Sequence, residues 1–255
     1  MSQISLSVNL NKIALLRNSR DGDFPSVVEF GKRSIAAGVQ GLTVHPRPDQ
    51  RHIRPHDVRQ LADLVRQHAA QHLEFNIEGN PFAPARDDYP GLVDLAIETQ
   101  PHQCTLVPDG DAQKTSDHGF DLNESGDKLQ PLITRLKNAG IRVSLFMDPD
   151  LAQIELAAKL GADRIELYTG PFAHAFAESG DAGQAVFDAH SKAAIRATEL
   201  GMGVNAGHDL NLDNMQLYNQ LPGLLEVSIG HALTVDALLM GFDNTIAAYL
   251  AVCRT

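Results

Sequence analysis

The feature that most constrains this chain is a beat. A short run of β-type residues is followed by a longer stretch of helical periodicity, and the unit recurs eight times. The runs fall at residues 4–9 (ISLSVN), 41–45 (GLTVH), 73–77 (LEFNI) and 103–107 (QCTLV), then at 142–147 (RVSLFM), 164–169 (RIELYT), 203–206 (GVNA) and 224–229 (LLEVSI). Between them, helices are expected over 27–37, 55–70, 89–99, 127–139, 151–160, 181–200 and 211–220, with a closing helix over 231–252. In 55–70 the residues Val58, Leu61, Leu64 and Val65 share one helical face. Gly38, Gly140, Gly161 and Gly201 stand where four of these helices should stop.

Eight strand–helix units are the count of a closed parallel barrel. The competing architecture is a doubly wound open sheet, which would carry a glycine fingerprint after its first strand. Here that turn reads Asn9-Leu10-Asn11-Lys12, with no such glycines. The expected fold is therefore α/β, a (β/α)8 TIM barrel with extra helices, forming one catalytic domain over 1–255. The length of 255 residues suits a single barrel. Two stretches exceed a minimal loop, the Pro-rich 79–88 and the Asp- and Gly-rich 108–125. Such loops serve as lids or binding loops, or are disordered.

Composition narrows the function classes. Hydrophobic residues make up 43% of the chain but aromatic ones only 5%, and Trp is absent. The core must be mostly aliphatic, and the strands are expected to fill the barrel with branched side chains. A net charge of -11 argues against nucleic-acid binding while leaving room for local basic clusters that hold small phosphorylated ligands. The two cysteines, Cys104 and Cys253, have no metal-binding spacing and read as reduced thiols of a cytoplasmic protein. No run approaches membrane-spanning length and the first residues lack a signal-peptide layout. No metal and no membrane association are expected.

Chemistry in such a barrel sits at the C-terminal ends of the strands. There the sequence places Asn9, Asn11 and Lys12 after the first run, and His45, Arg47 and His52 after the second. Thr169 ends the sixth, Asn205, Gly207 and His208 end the seventh, and Gly230-His231 ends the eighth. Singly, each reads at least as well as a turn cap or a hydrogen-bonded structural residue. Together, three histidines on one rim form a set. Glu74 and Glu166 are sharper, because each interrupts an apolar strand; Glu226 is similar on paper. A carboxylate inside a barrel needs a partner or a raised pKa, which makes it a candidate acid–base group or half of an ion pair. Gly230 precedes a helix whose free N–H groups could hold a phosphate.

Several ordered segments carry a resemblance. They are Val8-Asn9-Leu10-Asn11-Lys12-Ile13-Ala14 with Leu16-Arg17-Asn18-Ser19-Arg20, Gly41-Leu42-Thr43-Val44-His45-Pro46-Arg47, and Arg51-His52-Ile53. Glu98-Thr99-Gln100-Pro101-His102, Leu106-Val107-Pro108, Val143-Ser144-Leu145-Phe146, Val204-Asn205-Ala206-Gly207-His208 and Ser228-Ile229-Gly230-His231-Ala232 complete the set. These resemble the pyridoxine 5'-phosphate synthase family of vitamin B6 biosynthesis. The resemblance implies a transferase that condenses 1-deoxy-D-xylulose 5-phosphate with 3-amino-2-oxopropyl phosphate, without cofactor, in a homo-octamer built from dimers. It implies acid–base roles for His45, Glu74 and His208. It implies that Asn9, Arg20, Gly230 and His231 contact the amino-ketone phosphate, and that Asn11, Lys12, Arg47, His52 and Thr115 contact the ketose phosphate. Glu166 and Asp209 join this substrate-binding set. One departure is notable: many members read Asp-His where this chain reads Asn11-Lys12. The segment 79–88 is also longer than in the usual member.

Two rival functions stay open at this level. One is a Schiff-base aldolase using Lys12 as nucleophile. The other is a non-catalytic barrel that binds a sugar phosphate, for which the set His45, Glu74 and His208 would serve no purpose.

Overall fold

A computed structural model describes residues 3–110 and 112–254. Positions 1, 2, 111 and 255 of the expected 1–255 unit lie outside the described residues. Eight parallel strands close into a barrel in sequence order. They are β1 (Ser5–Asn9), β2 (Gly41–Val44), β3 (Glu74–Gly79), β4 (Gln103–Leu106), β5 (Arg142–Met147), β6 (Arg164–Tyr168), β7 (Gly203–Gly207) and β8 (Leu224–Ile229). Closure is made by β1 pairing with β8, with Ser7 opposite Ser228.

The outer layer consists of α1 (Asn11–Asn18), α2 (Val27–Ala36), α3 (Pro55–Gln67), α4 (Leu92–Thr99), α5 (Leu122–Asn138) and α6 (Leu151–Lys159), followed by α7 (Gly170–Glu178), α8 (Gly180–Glu199), α9 (Met215–Tyr218), α10 (His231–Met240) and α11 (Phe242–Val252). Ser26, Asp150 and Ser179 cap α2, α6 and α8 through side-chain oxygens, as short polar residues do at helix starts. Among the described residues no helix is long and apolar enough to cross a membrane.

The differences from the sequence reading have local causes. α1 and α7 occupy stretches read as connections. The expected helix over 231–252 is two helices, because Gly241 takes a φ of +79° and breaks the run. α5 starts at Leu122, with the Asp121 side chain accepting from the Asn123 N–H at 3.0 Å, five residues before the expected start. β3 runs to Gly79, two residues past its expected end.

The larger correction concerns the interior. Leu6, Val8, Leu42, Val44, Phe75, Ile77, Leu145, Ile165 and Val227 are buried in one apolar cluster, but they alternate with the residues that face the barrel axis. The axis-facing set is polar. Ser7 Oγ lies 2.7 Å from Thr43 Oγ1, Asn76 donates to Thr43 at 3.4 Å, and Thr105 donates to Asn76 at 3.0 Å. Below them Arg142 donates to Gln103 at 3.0 Å, and Arg164 to Asn205 at 3.0 Å. The aliphatics therefore pack between sheet and helices, and the barrel is filled by a stack of polar side chains, most of them hydrogen-bonded to one another, with Ser144 Oγ left without a partner among the described residues.

Candidate active site

A cavity of about 470 Å³ opens at the C-terminal ends of the strands. Strand ends and following turns line it: Asn9, Asn11 and Lys12 after β1, His45, Arg47 and His52 after β2, and Glu78 on β3. Thr115 comes from the β4–α5 loop, Glu166 from β6, His208 and Asp209 from beyond β7, and Gly230 and His231 from the start of α10. Every residue given a site role by the family resemblance lines this cavity except Glu74 and Arg20; of the other polar residues singled out in the sequence, Thr169, Asn205, Gly207 and Glu226 do not line it.

The β1 turn builds one wall. Asn9 Oδ1 accepts from the Asn11 N–H at 3.0 Å, and Asn11 Oδ1 accepts from the His45 N–H at 2.8 Å. Asn9 Nδ2 donates to Glu78 Oε1 at 2.9 Å. Two asparagines thus fix β1, β2 and β3 relative to each other, and place His45 with its Nδ1 3.7 Å from Glu78 Oε1. On its other side His45 Nε2 lies 3.2 Å from Asp109 Oδ2. Asp109 also pairs with Arg47, whose other nitrogen donates to the carbonyls of Gly110 at 3.3 Å and Gln113 at 3.1 Å. Burial would raise the Asp109 pKa, but His45 and Arg47 outweigh it and hold the carboxyl below its ordinary value.

The β2–α3 turn is anchored from below. Arg17, on the buried side of α1, forms a two-pronged pair with Asp57 and donates to the His52 carbonyl at 3.1 Å; Asn18 donates to the same carbonyl at 2.9 Å. His52 Nδ1 accepts from the Ile53 N–H at 2.9 Å. Burial, reinforced by His45, Arg47, Lys12 and Arg51, pushes the His52 pKa down to about 3. His52 is therefore neutral at physiological pH, with its free Nε2–H as a donor.

The opposite wall comes from β6 and β7. His208 and Asp209 have φ of +87° and +57°, an uncommon pair for residues with side chains. Thr169 holds this kink by donating to the carbonyls of Gly207, at 2.7 Å, and His208. Asn214 donates to the Asp209 carbonyl at 3.1 Å. His208 lies with Nδ1 3.0 Å from Asp209 Oδ2 and Nε2 2.8 Å from Thr115 Oγ1, so it meets the β4–α5 loop across the cavity mouth. Glu166 forms part of the cavity's inner lining. A Cβ on Gly207 would collide with its carboxyl, so the glycine makes room for the acid. Burial raises the Glu166 pKa well above the ordinary range, and Glu78 and Glu226 add to the effect. Glu78 is raised by burial too, with Asp109 adding and His45, Asn9 and His208 opposing.

At the eighth strand Gly230 precedes α10, whose first N–H groups have no side-chain cap. A Cβ on Gly230 would lie 3.0 Å from the Asn9 side chain, so any other residue here would push on Asn9. The arrangement is an anion corner with a positive helix end.

Glu74 points inward as its alternation requires, but from the other end of β3. Arg142 holds it there, with Nη1 donating at 3.2 Å and a second contact from Nη2. Burial would raise its pKa, yet Arg142 and Arg164 draw it below the ordinary value. The raised pKa that made Glu74 a candidate base belongs instead to Glu78 and Glu166. Arg20 is exposed and outside its own cavity. Sequence reading missed Glu78 and Asp109. Glu78 continues the inward register Glu74-Asn76-Glu78, and ending the strand at Ile77 hid it. Asp109 sits in a Pro-Asp-Gly loop that gave no chemical signal.

Comparison with known proteins completes the picture. Residues 6–255 match the family model described as "Pyridoxal phosphate biosynthesis protein PdxJ". A protein of Xanthomonas axonopodis pv. citri named pyridoxine 5'-phosphate synthase is 56% identical over 252 residues, covering 98% of this chain and 96% of its own. Its namesake from Xylella fastidiosa is 52% identical over 250 residues, covering 97% and 94%. Among solved structures, tryptophan synthase of Mycobacterium tuberculosis superposes with a TM-score of 0.64 at 13% identity, covering 99% of this chain and 93% of that one. Phosphoribosylanthranilate isomerase of Thermotoga maritima superposes with a TM-score of 0.57 at 11% identity, covering 98% of each. These two likenesses show the barrel fold alone. The family match and the close relatives, spanning the barrel from β1 to its last helix, show that the chain belongs to the PdxJ family.

Proposed function

We infer that this chain is a pyridoxine 5'-phosphate synthase. It condenses 1-deoxy-D-xylulose 5-phosphate with 3-amino-2-oxopropyl phosphate to give pyridoxine 5'-phosphate, inorganic phosphate and water. One observation supports the reading: a single cavity is lined by an uncapped helix start and, elsewhere, by a basic group, with titratable side chains among them; we read the two as corners for two anions. The uncapped start of α10 at Gly230-His231 forms one corner. Lys12, Arg47 and neutral His52 form the other. Two phosphorylated substrates would enter with their reacting carbons between His45, His208 and Glu166.

The amine of one substrate attacks the ketone of the other, so the imine joins the substrates and no enzyme lysine is required. Dehydration, phosphate loss and ring closure each move protons, the work of imidazoles and of carboxyls with raised pKa. Thr115, bridging to His208, would close the β4–α5 loop over the ketose. Asp209 keeps the His208 ring in register, and His208 in turn holds the Asp209 carboxyl below its ordinary pKa. The relatives' names support a biosynthetic enzyme whose product is a small phosphorylated molecule. We propose that it works in the cytoplasm, without a cofactor and apart from nucleic acid and membranes. We further propose a homo-octamer built from dimers, in which Arg20 reaches the amino-ketone phosphate of an adjoining subunit.

The test is incubation of the purified chain with both substrates, followed by the pyridoxine absorbance and by phosphate release. Stoichiometric appearance of both is expected. Absence of product with both substrates present rejects the assignment, and a borohydride-reducible adduct at Lys12 would favour the aldolase.

A further inference from the structure

We propose that Glu78 is a catalytic residue of this enzyme: its carboxyl, seated against His45 and facing the cavity, exchanges protons with the reacting substrates in concert with that imidazole. The proposal rests on the synthase reading and names a further group within the same site.

The geometry is directional. Asp109 lies 3.2 Å from His45 Nε2 and is paired with the Arg47 guanidinium, which favours its ionised form. An ionised carboxylate there fixes the proton on Nε2, which leaves the Nδ1 lone pair facing Glu78. The Nδ1 to Oε1 separation is 3.7 Å, a gap that one bridging water or a slight turn of the ring spans. Asn9 Nδ2 donates to the same Oε1 at 2.9 Å and fixes the carboxyl's orientation. Asp109 does not line the cavity, so it is a positioning residue; Glu78 does line it.

The charged and titratable groups facing Glu78 are His45 from β2, Asp109 beyond β4, Glu166 on β6 and His208 beyond β7, with Glu226 on β8 below. Burial among two further carboxyls keeps Glu78 protonated to higher pH than an ordinary glutamate, the state required of an acid.

The proton balance follows. As the substrate amine adds to the ketone, a carbon–nitrogen bond forms and the carbon–oxygen π bond breaks. The oxygen takes the Glu78 proton, and the nitrogen gives one to His45 Nδ1. His45 returns that proton to the Glu78 carboxylate. The same exchange drives dehydration: the hydroxyl leaves as water with a proton from Glu78, and nitrogen releases one to His45 as the C=N bond forms. Nothing is consumed, and the pair ends each step as it began.

The experiment compares wild type with Glu78→Gln and Glu78→Asp in steady-state kinetics with both substrates from pH 6 to 9, alongside thermal melts. Glu78→Gln keeps the acceptor for Asn9 and is expected to fold. Its kcat should fall by about 100-fold or more, with each KM changed by less than about threefold. The alkaline limb of the wild-type profile should vanish. Glu78→Asp, with a retracted carboxyl, should recover part of the rate and the limb, and it carries the test should the glutamine variant fail to fold. A Glu78→Gln kcat near that of wild type, a loss confined to KM, or a lowered kcat with an unchanged pH profile would each overturn the proposal while the synthase reading stands. A wild-type chain that forms no product would remove both.

Discussion

Glu74 and Glu78 project from the same face of one strand, four residues and about 13 Å apart, yet their carboxyls are driven in opposite directions. Arg142 grips Glu74 and keeps it ionised, whereas Glu78 meets a hydrogen bond from Asn9, the imidazoles of His45 and His208 and other carboxyls, with no guanidinium against it among the described residues. Strand position sets which of the two lines the cavity, Glu78, and which is within reach of Arg142, Glu74.

Glu74→Gln should therefore be mainly a stability variant. The pair with Arg142 is partly open to solvent, so its loss should cost about 1 kcal/mol and lower Tm by a few degrees. Turnover should stay within about threefold of wild type. A Glu74→Gln variant that folds and melts normally but is inactive would restore Glu74 to the catalytic set.

Lys12 occupies the departure from the commoner Asp-His pair, in the first turn of α1 and on the cavity wall. A lysine donates and carries charge but shuttles protons poorly at neutral pH. Lys12→Arg should keep much of the activity. Lys12→Met should raise the KM for the ketose phosphate by about 10-fold, the scale of a lost charge-assisted hydrogen bond, with kcat little changed. Equal inactivation of both variants would point to a nucleophile.

Arg20 follows α1 on an exposed loop and does not reach its own cavity. Arg20→Ala chains and His208→Asn chains should each be nearly inactive alone. Co-assembled after mild dissociation, they should regain a fraction of wild-type turnover, because some sites then pair an intact His208 with an intact Arg20. Verified mixed oligomers without recovery would place Arg20 outside a shared site.

Glu226 gives a pH signature. Burial lifts its pKa to about 7 against an ordinary 4.5, with Glu74 and Glu78 adding to the rise and Arg164 and Arg142 opposing it. A carboxyl raised on folding stabilises the fold while it is protonated in the native state. That contribution is complete below about 4.5 and is lost as pH climbs through about 7. The loss is on the order of 3 kcal/mol. Urea unfolding at pH 5 and pH 7.5 should show a smaller drop for Glu226→Gln than for wild type. The remaining decline belongs to Glu78 and Glu166, which are shifted the same way.

The barrel was legible in the sequence because each strand alternates and each helix carries an apolar face of its own, so eight local signals add up to one closed topology. The rim residues His45, His208 and Gly230 could be read because they follow those strands directly. Glu78 and Asp109 could not, for different reasons. Glu78 needed one more inward step of the β3 register, and the following Gly79 looked like the strand's end. Asp109 acquires its meaning only when Arg47, 62 positions earlier, folds back onto it. The polar interior was missed because alternation tells the two faces of a strand apart but does not say which one meets the axis. The aliphatics were assigned to the wrong side.

That inside-out arrangement separates two kinds of mutational freedom. The apolar shell between sheet and helices holds the molecule together, while the stack along the axis, from Arg142 and Arg164 through Gln103, Thr105, Asn76 and Thr43 to Ser7, forms a ladder of donors and acceptors under the reaction chamber. A rung can be exchanged for another polar residue without thinning the shell, so the chamber can be retuned in charge and proton affinity while the scaffold stays the same. An aliphatic plug offers no such adjustment: each change there would be felt as a packing defect first.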